Sequence, residues 1–423
     1  MNKSVIPKGH NIVKYASIYF FVMALALNTD AEGAVKLEGF ALLPADTTMP
    51  GPDSGHFIGA SENLDLPFDG QPAQGFSAII SDRNGGYLAL VDNGFGSREN
   101  SADFVLRIYF LNPEFRTADG GSGEINIEGF INLSDPDNMM PYPIVAEQEC
   151  YTSTEPCQMV DEHIIVDRLL TGADLDPESL QQAGDGSFWI GDEFGPYLAH
   201  FDVSGVLLQA PYELQGLVSE TRPGSVAADH TLRSSRGFEG MAMAPTTAKL
   251  YPMLEGPLTA DGNTLNIYTF DIENGQFENS SANMPSFRYL PDPAATAVGA
   301  FKLIDESSGL ILERDSGQGK EALHKKIFRV DLVQTTVGNT LNKVEIADLL
   351  MIDDPHDLNQ DGKTVFSLPM ATIEGLVVIE PDLLGIISDN NYPFGRARGG
   401  PEPEATEFIL IRIEPEIEIL EHK

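Results

Sequence analysis

Between Ala173 and Gln209 the chain reads as four short strands punctuated by turn residues, with no stretch long enough for a helix. Glu178–Ala183 turns back through Gly184–Asp185–Gly186 into Ser187–Asp192, Tyr197–Asp202 follows, and Val203–Gly205 leads into Val206–Gln209. Asp-Gly and Ser-Gly turns between short aromatic and β-branched runs are hairpin chemistry. A four-strand antiparallel meander of this length matches one blade of a β-propeller. In such a sheet, the loop before the first strand and the loop between the second and third share an edge. Asp174, Asp176, Glu178, Asp192 and Glu193 therefore gather on one face, while Asp185 and Ser204 turn on the other.

The hairpin recurs as Gly75–Ile80 with Tyr87–Asp92, Phe238–Ala244 with Leu250–Leu254, Ala300–Asp305 with Leu310–Glu313, and Ile373–Ile379 with Gly385–Ser388. The paired loops keep one register: Gly75 to Asp92 is 17 positions, Glu178 to Asp192 14, Glu239 to Glu255 16, Gly299 to Arg314 15 and Glu374 to Asp389 15. This regularity predicts an all-β fold, a propeller of antiparallel four-stranded blades. Five repeats are visible, and weak N-terminal strands leave six blades possible. Residues 32–423 read as a single domain, with the largest insertion at Ser134–Gly172. Val35–Leu43 is the candidate outermost strand of the last blade, pairing the two ends of the chain.

Serial acidic loops at one mouth point to a hard cation, because calcium takes six to eight oxygen ligands. The candidate metal ligands are Asp92, Glu178, Asp192, Glu239, Glu255, Glu374, Asp389 and Asn390, with Asn93, Asp174, Asp176 and Glu193 beside them. Arg236, Arg314 and Lys320 fall at the same edge, where cations hold an anionic substrate or pair with the carboxylates. Asp357–Gly362 has the D-x-N-x-D-G opening of a calcium loop, but its twelfth position is Leu368, so it reads equally as an Asp-Gly turn. His200, His324 and Trp189 read as packing. No G-x-S-x-G, H-E-x-x-H or G-x-x-x-x-G-K-[ST] occurs, which removes the usual support for serine-triad, zincin and nucleotide-hydrolase readings.

Lys3, Lys8 and Lys14 precede the apolar run Tyr15–Leu27, and small residues near Ala31 complete the pattern of a signal peptide over residues 1–31. The 13-residue run is short for a membrane span. The expected location is therefore outside the cytoplasm, periplasmic or extracellular, with no membrane partner after cleavage. In that setting Cys150 and Cys157, the two cysteines of the chain, are expected to form one small disulfide loop. With 64 acidic against 26 basic side chains, a net charge of −38 argues against nucleic acid and anionic lipid.

The segments GADLDPESL, DGSFWIGDEFGPYLAHFD, RGFEGMA, LEGPL, ERDSGQG, IEGL and SDNNYPF, in that order, resemble the bacterial phytase-like family, described by an esterase-like activity of phytase. The resemblance implies a propeller, export and calcium-aided hydrolysis of phosphate esters. On matching motif positions it implies functional roles for Glu178, Asp192, Glu193, Glu239, Arg314, Glu374 and Asp389. The leading expectation is an exported, metal-assisted phosphate-ester hydrolase acting on a small anionic substrate. In it Glu193 takes a proton from water, while Arg236, Arg314 and Lys320 stabilise charge. A non-catalytic calcium-binding propeller for a sugar or protein partner, and a calcium-dependent carboxylesterase or lactonase, remain open alternatives.

Overall fold

The computed structural model describes residues 35–59, 64–148, 150–151, 159–332 and 338–414. Many of its strands carry unbroken apolar runs instead of strict alternation, the pattern of strands covered on both faces. Leu88–Val91, Phe188–Ile190 and Leu310–Leu312 are wholly buried, each in the second strand of a sheet that packs between two others.

The first sheet joins Phe76–Ser81, Tyr87–Val91, Arg107–Glu114 and Glu124–Asn132, antiparallel and in chain order. The second joins Pro177–Gln182, Phe188–Asp192 and Leu198–Phe201. Its expected fourth strand at Val206–Gln209 is reduced to single bridges, Phe201 to Leu207 and Leu198 to Tyr212. The reason is competition, since Gly205 O and Leu207 N are bonded to Ser134 of the insertion. The third sheet is built on Gly240–Met243, Lys249–Met253, Leu265–Ile267 and Phe287–Tyr289. The fourth orders Ala297–Leu303, Ser308–Arg314, Lys325–Asp331 and Asn342–Asp348.

The fifth sheet takes Thr372–Glu380, Leu383–Asp389 and Thr406–Ile413 from one end of the chain and Val35–Leu43 from the other. Val35 lies opposite Ile413 and Leu43 opposite Thr406, so the expected pairing of the two ends is present. Leu37, Ile409 and Ile411 are buried at this seam, each contributing roughly 1.5–3 kcal/mol by leaving water. The five innermost strands, Phe76–Ser81, Pro177–Gln182, Gly240–Met243, Ala297–Leu303 and Thr372–Glu380, contact one another in turn and the last meets the first. The fold is a β-propeller, as the hairpin repeat predicts.

One irregularity recurs in these inner strands. The pairing skips one residue between Phe76 and Ala78, Pro177 and Ser179, Val298 and Ala300, and Ile373 and Gly375. The unpaired residues are thus Ser77, Glu178, Gly299 and Glu374, and in the third sheet Glu239 directly precedes the strand. A bulge bends a strand and re-aims a side chain. Repeated in four of the five sheets, it brings Ser77, Glu178 and Glu374 to one level of the ring, where Glu239 joins them.

The 134–172 insertion contains the short helix Glu162–Val166, capped by the Asp161 carboxylate on His163 N. Among the described residues no cysteine is free; Cys157 and the expected signal peptide lie outside them. No helix among the described residues is long and apolar enough to cross a membrane.

Candidate metal centre at the channel mouth

Two tiers of side chains meet at the upper end of the channel. The bulge positions Ser77, Glu178, Gly299 and Glu374, with Glu239 at the corresponding place in the third sheet, form the lower tier. The upper tier is the residue across from the position two before each bulge. Asp92 N donates to Gly75 O at 2.8 Å, Glu193 N to Asp176 O at 2.9 Å and Glu255 N to Gly237 O at 2.9 Å. Arg314 pairs with Ala297, and Asp389 with Thr372. The upper tier is therefore Asp92, Glu193, Glu255, Arg314 and Asp389. The fourth sheet contributes no acid to either tier. It places Gly299 where an added Cβ would lie 2.1 Å from Ile373 O, letting neighbouring backbones close up, and pairs Arg314 with Ala297 two positions before it.

Arg314 divides the site. Its Nη2 donates to Glu374 Oε1 at 2.8 Å and Glu255 Oε1 at 3.0 Å, and lies 3.6 Å from Glu239 Oε1. The other oxygen of Glu255 receives Arg236, whose side chain is 38% exposed at the mouth. Among the described residues, no ion pair reaches Asp176, Glu178 or Glu193, although Arg236 and Arg314 lie near enough to act on Glu193 and Glu178 through space. Asp176, Glu178 and Glu193 offer oxygens all within 4.8 Å of one another, and Glu178, Glu239 and Glu374 form a second such group. Among the described residues, Glu178 Oε2, Glu193 Oε1, Glu239 Oε1, Asn93 Oδ1 and Ser77 Oγ are buried with no hydrogen-bond partner. Unpaired buried oxygens are costly, and hard cations accept this donor set. A cavity of about 10 Å³ lined by Ser77, Glu178, Glu239 and Glu374 lies at the lower tier, room for about one water-sized particle.

Burial, then the neighbouring carboxylates Glu239 and Asp176, push the Glu178 carboxyl well above its ordinary range. Glu193 and Glu239 move the same way from burial and nearby acids, as does Asp92. Burial lifts Glu374 to about 8 although Arg314 opposes the shift. Desolvation disfavours the Arg314 charge, but Glu374, Glu255 and Glu239 outweigh it and hold the guanidinium ionised.

Of the residues singled out from the sequence, Asp92, Glu178, Glu193, Glu239, Glu255, Arg314, Glu374 and Asp389 occupy the tiers, and Arg236 flanks them. Asp192 does not join them. Its Oδ1 accepts from Asp176 N at 2.8 Å and its Oδ2 from Gly195 N at 2.7 Å, so it shapes the loop beneath Glu193. Asn390 ties sheets together, accepting from Gly75 N at 3.4 Å and donating to Glu404 O at 2.9 Å. Asp174 anchors the insertion by accepting from Val145 N at 2.8 Å and Thr171 N at 2.9 Å. Lys320 is exposed on the short turn Gly319–Glu321 and lines a different cleft; Gly319 N is bonded to Pro369 O, which holds the turn there.

The Asp357–Gly362 loop closes on itself through its own side chains. Asp357 Oδ1 accepts from Gly362 N at 3.0 Å, and Lys363 pairs with Asp361 Oδ2 at 2.6 Å, a cation already on one would-be ligand. Ser77 was not legible as a site residue, because a serine in an apolar strand carries no charge signal. Its mark is position, 15 before Asp92, as Glu178 is before Glu193, Gly299 before Arg314 and Glu374 before Asp389.

Among solved structures, a luciferin-regenerating enzyme is 12% identical with a TM-score of 0.38, over 91% of this chain and 96% of that one. The PQQ-bound aldose sugar dehydrogenase of Streptomyces coelicolor is 9% identical with a TM-score of 0.36, over 91% and 99%. Nothing about activity is read from likenesses this distant. An uncharacterised secreted protein of Arthroderma benhamiae (strain ATCC MYA-4681 / CBS 112371) is 23% identical over 203 residues, 39% of this chain, which spans only 40% of that protein's length. The family model for phytase-like proteins, described as the esterase-like activity of phytase, matches residues 71–392, and the chain belongs to that family.

Proposed function

We propose that the protein is an exported, metal-assisted hydrolase of phosphate esters, with its cation held by Asp176, Glu178 and Glu193. The observation that carries this reading is the set of buried oxygens left without hydrogen-bond partners among the described residues, Glu178 Oε2 and Glu193 Oε1, on carboxylates that form no ion pair with Arg314. Calcium fits the all-oxygen donor set. A cation bound there supplies charge for phosphate oxygens and a lowered pKa for a water on it.

The remaining work falls to the chain. The lower tier is too narrow for a substrate, so a phosphate ester approaches from the mouth, where Arg236 is the exposed cation. Phosphate oxygens compete with Glu255 for the Arg236 guanidinium, a charge-assisted contact suited to a planar fork. Glu193, in the upper tier, holds the cation through one oxygen and in this reading accepts a proton from the attacking water through the other. Water adds to phosphorus, the ester P–O bond breaks, and the proton ends on the leaving oxygen. Arg314 stays locked among three carboxylates and fixes the ring's shape.

Export, with a signal peptide ending near Ala31 and a Cys150–Cys157 bond, is part of the same proposal. The name of the Arthroderma relative, a secreted protein, supports it. Hydrolysis of nitrophenyl phosphate and nitrophenyl acetate, each with and without chelator, tests the reading. Phosphatase activity abolished by EDTA and restored by calcium is expected. Acetate-only turnover would make the site a carboxylesterase. Calcium binding with no turnover would make it a binding propeller.

A further inference from the structure

The displaced Lys320 belongs to a second site. A cleft of about 1440 Å³ runs between the seam strand Val35–Leu43, the Arg116–Ile127 turn of the first sheet and the loops around Lys320, Lys363 and Arg396. Five of its lining residues are basic (Arg116, Lys320, Lys363, Arg396 and Arg398) and three are acidic (Glu124, Asp361 and Glu407). The cleft is thus cationic in a chain whose net charge is −38.

The ion pairs sharpen the contrast. Arg398 is neutralised by Glu407, at 2.7 and 2.5 Å, and Lys363 by Asp361. The other three cations meet no carboxylate among the described residues. Arg116 donates to the backbone oxygens of Leu358 and Ser122, each at 2.8 Å. Arg396 donates to Pro393 O at 2.9 Å and Gly395 O at 2.5 Å. Carbonyls orient a guanidinium without cancelling its charge, and each fork keeps spare N–H donors. Lys320 is exposed and makes no ion pair. In a protein with more than twice as many acids as bases, three uncancelled cations lining one cleft are an anion-recognition feature.

The rest of the lining narrows the ligand. Asn126, Gln318, Asn359 and Gln360 supply amides suited to hydroxyl groups, and Leu42 and Ile127 supply apolar surface for a ring face. The volume exceeds the roughly 300–1,000 Å³ that holds a drug-sized ligand. We propose that this cleft binds an oligoanionic saccharide through its phosphate or carboxylate groups, independently of any metal at the channel mouth.

Calorimetry on the full mature protein in EDTA and low salt tests this, with tripolyphosphate, trigalacturonate and neutral maltotriose as probes. Binding of an anionic probe but not maltotriose is expected, weakening as salt is raised. Preference for tripolyphosphate assigns phosphate groups, and preference for trigalacturonate assigns carboxylates. Lys320→Glu combined with Arg396→Gln should weaken binding at least tenfold. Lys320→Glu alone, at an exposed side chain with no hydrogen bond or ion pair among the described residues, should weaken it with the melting temperature unchanged, which guards against misfolding of the double variant. Glu178→Gln should bind the probe as the parent does, so failure of the metal reading leaves this result intact. Equal binding of maltotriose, no anion binding at low salt, or full binding by Lys320→Glu would each overturn the proposal.

Discussion

The Arg314 guanidinium donates to Glu374 Oε1 at 2.8 Å across 60 positions of sequence, joining the fourth sheet to the fifth inside the acidic ring. The same nitrogen reaches Glu255 of the third sheet. One side chain thus acts as the internal counter-ion for carboxylates of two neighbouring sheets, and it forms no ion pair with Asp176, Glu178 or Glu193.

Removing that counter-ion should show its role. Arg314→Met leaves Glu255 and Glu374 facing each other, and breaking a buried pair costs about 3–5 kcal/mol. Urea unfolding in EDTA should report a loss of that order. Millimolar calcium should recover part of it and raise the bound metal per chain above that of the parent. An unchanged metal count would mean that Arg314 does not stand in for a cation.

The other half of the ring predicts a different loss. Glu178→Gln removes a ligand oxygen while keeping shape, so calcium affinity and phosphatase activity should fall together by about 100-fold or more, given that even supporting groups are worth 10–100-fold. Asp185→Asn, on a turn at the opposite face, where the carboxylate only bonds Ser187, should change neither. Titration calorimetry and initial rates on both variants check this.

Lower in the channel, Lys302 lines a cavity with Gln181, Met243 and Val377, and burial pushes its amine down to about 8 from an ordinary 10.5. A folded-state pKa below the unfolded one means that charging the amine opposes folding. The penalty is full below pH 8 and disappears as pH rises toward 10.5. Lys302→Met should therefore be the more stable protein at pH 7, by at most about 3 kcal/mol, with the gap narrowing between pH 8 and 10.5. Urea midpoints across that range measure it.

The seam sets the stability of the ring. Leu37, 1% exposed, packs where the first described strand meets the last, and Leu37→Ala should cost about 2–5 kcal/mol. Deleting Val35–Leu43 leaves Thr406–Ile413 as an open apolar edge, and such edges aggregate. Size-exclusion chromatography should find the deletion variant largely multimeric.

The hairpin repeat, the closing strand and most of the acidic ring were legible in the sequence because they are local. Turn dipeptides set each hairpin, and a hairpin's length fixes which residues share its edge. Register was the weak link. Spacing alone aligned Gly75 and Asp192 with the ring, whereas the structure sets Ser77 and Glu193 there, because each bulge leaves one residue of the inner strand unpaired and alters the register beside it. Tertiary packing alone decided how charge is shared. Arg314 and Lys320 are six positions apart, yet Arg314 meets Glu255 and Glu374 inside the ring while Pro369 holds the turn bearing Lys320 in the outer cleft. A sequence specifies which side chains carry charge; which carboxylate a guanidinium meets depends on contacts between sheets that no local pattern encodes.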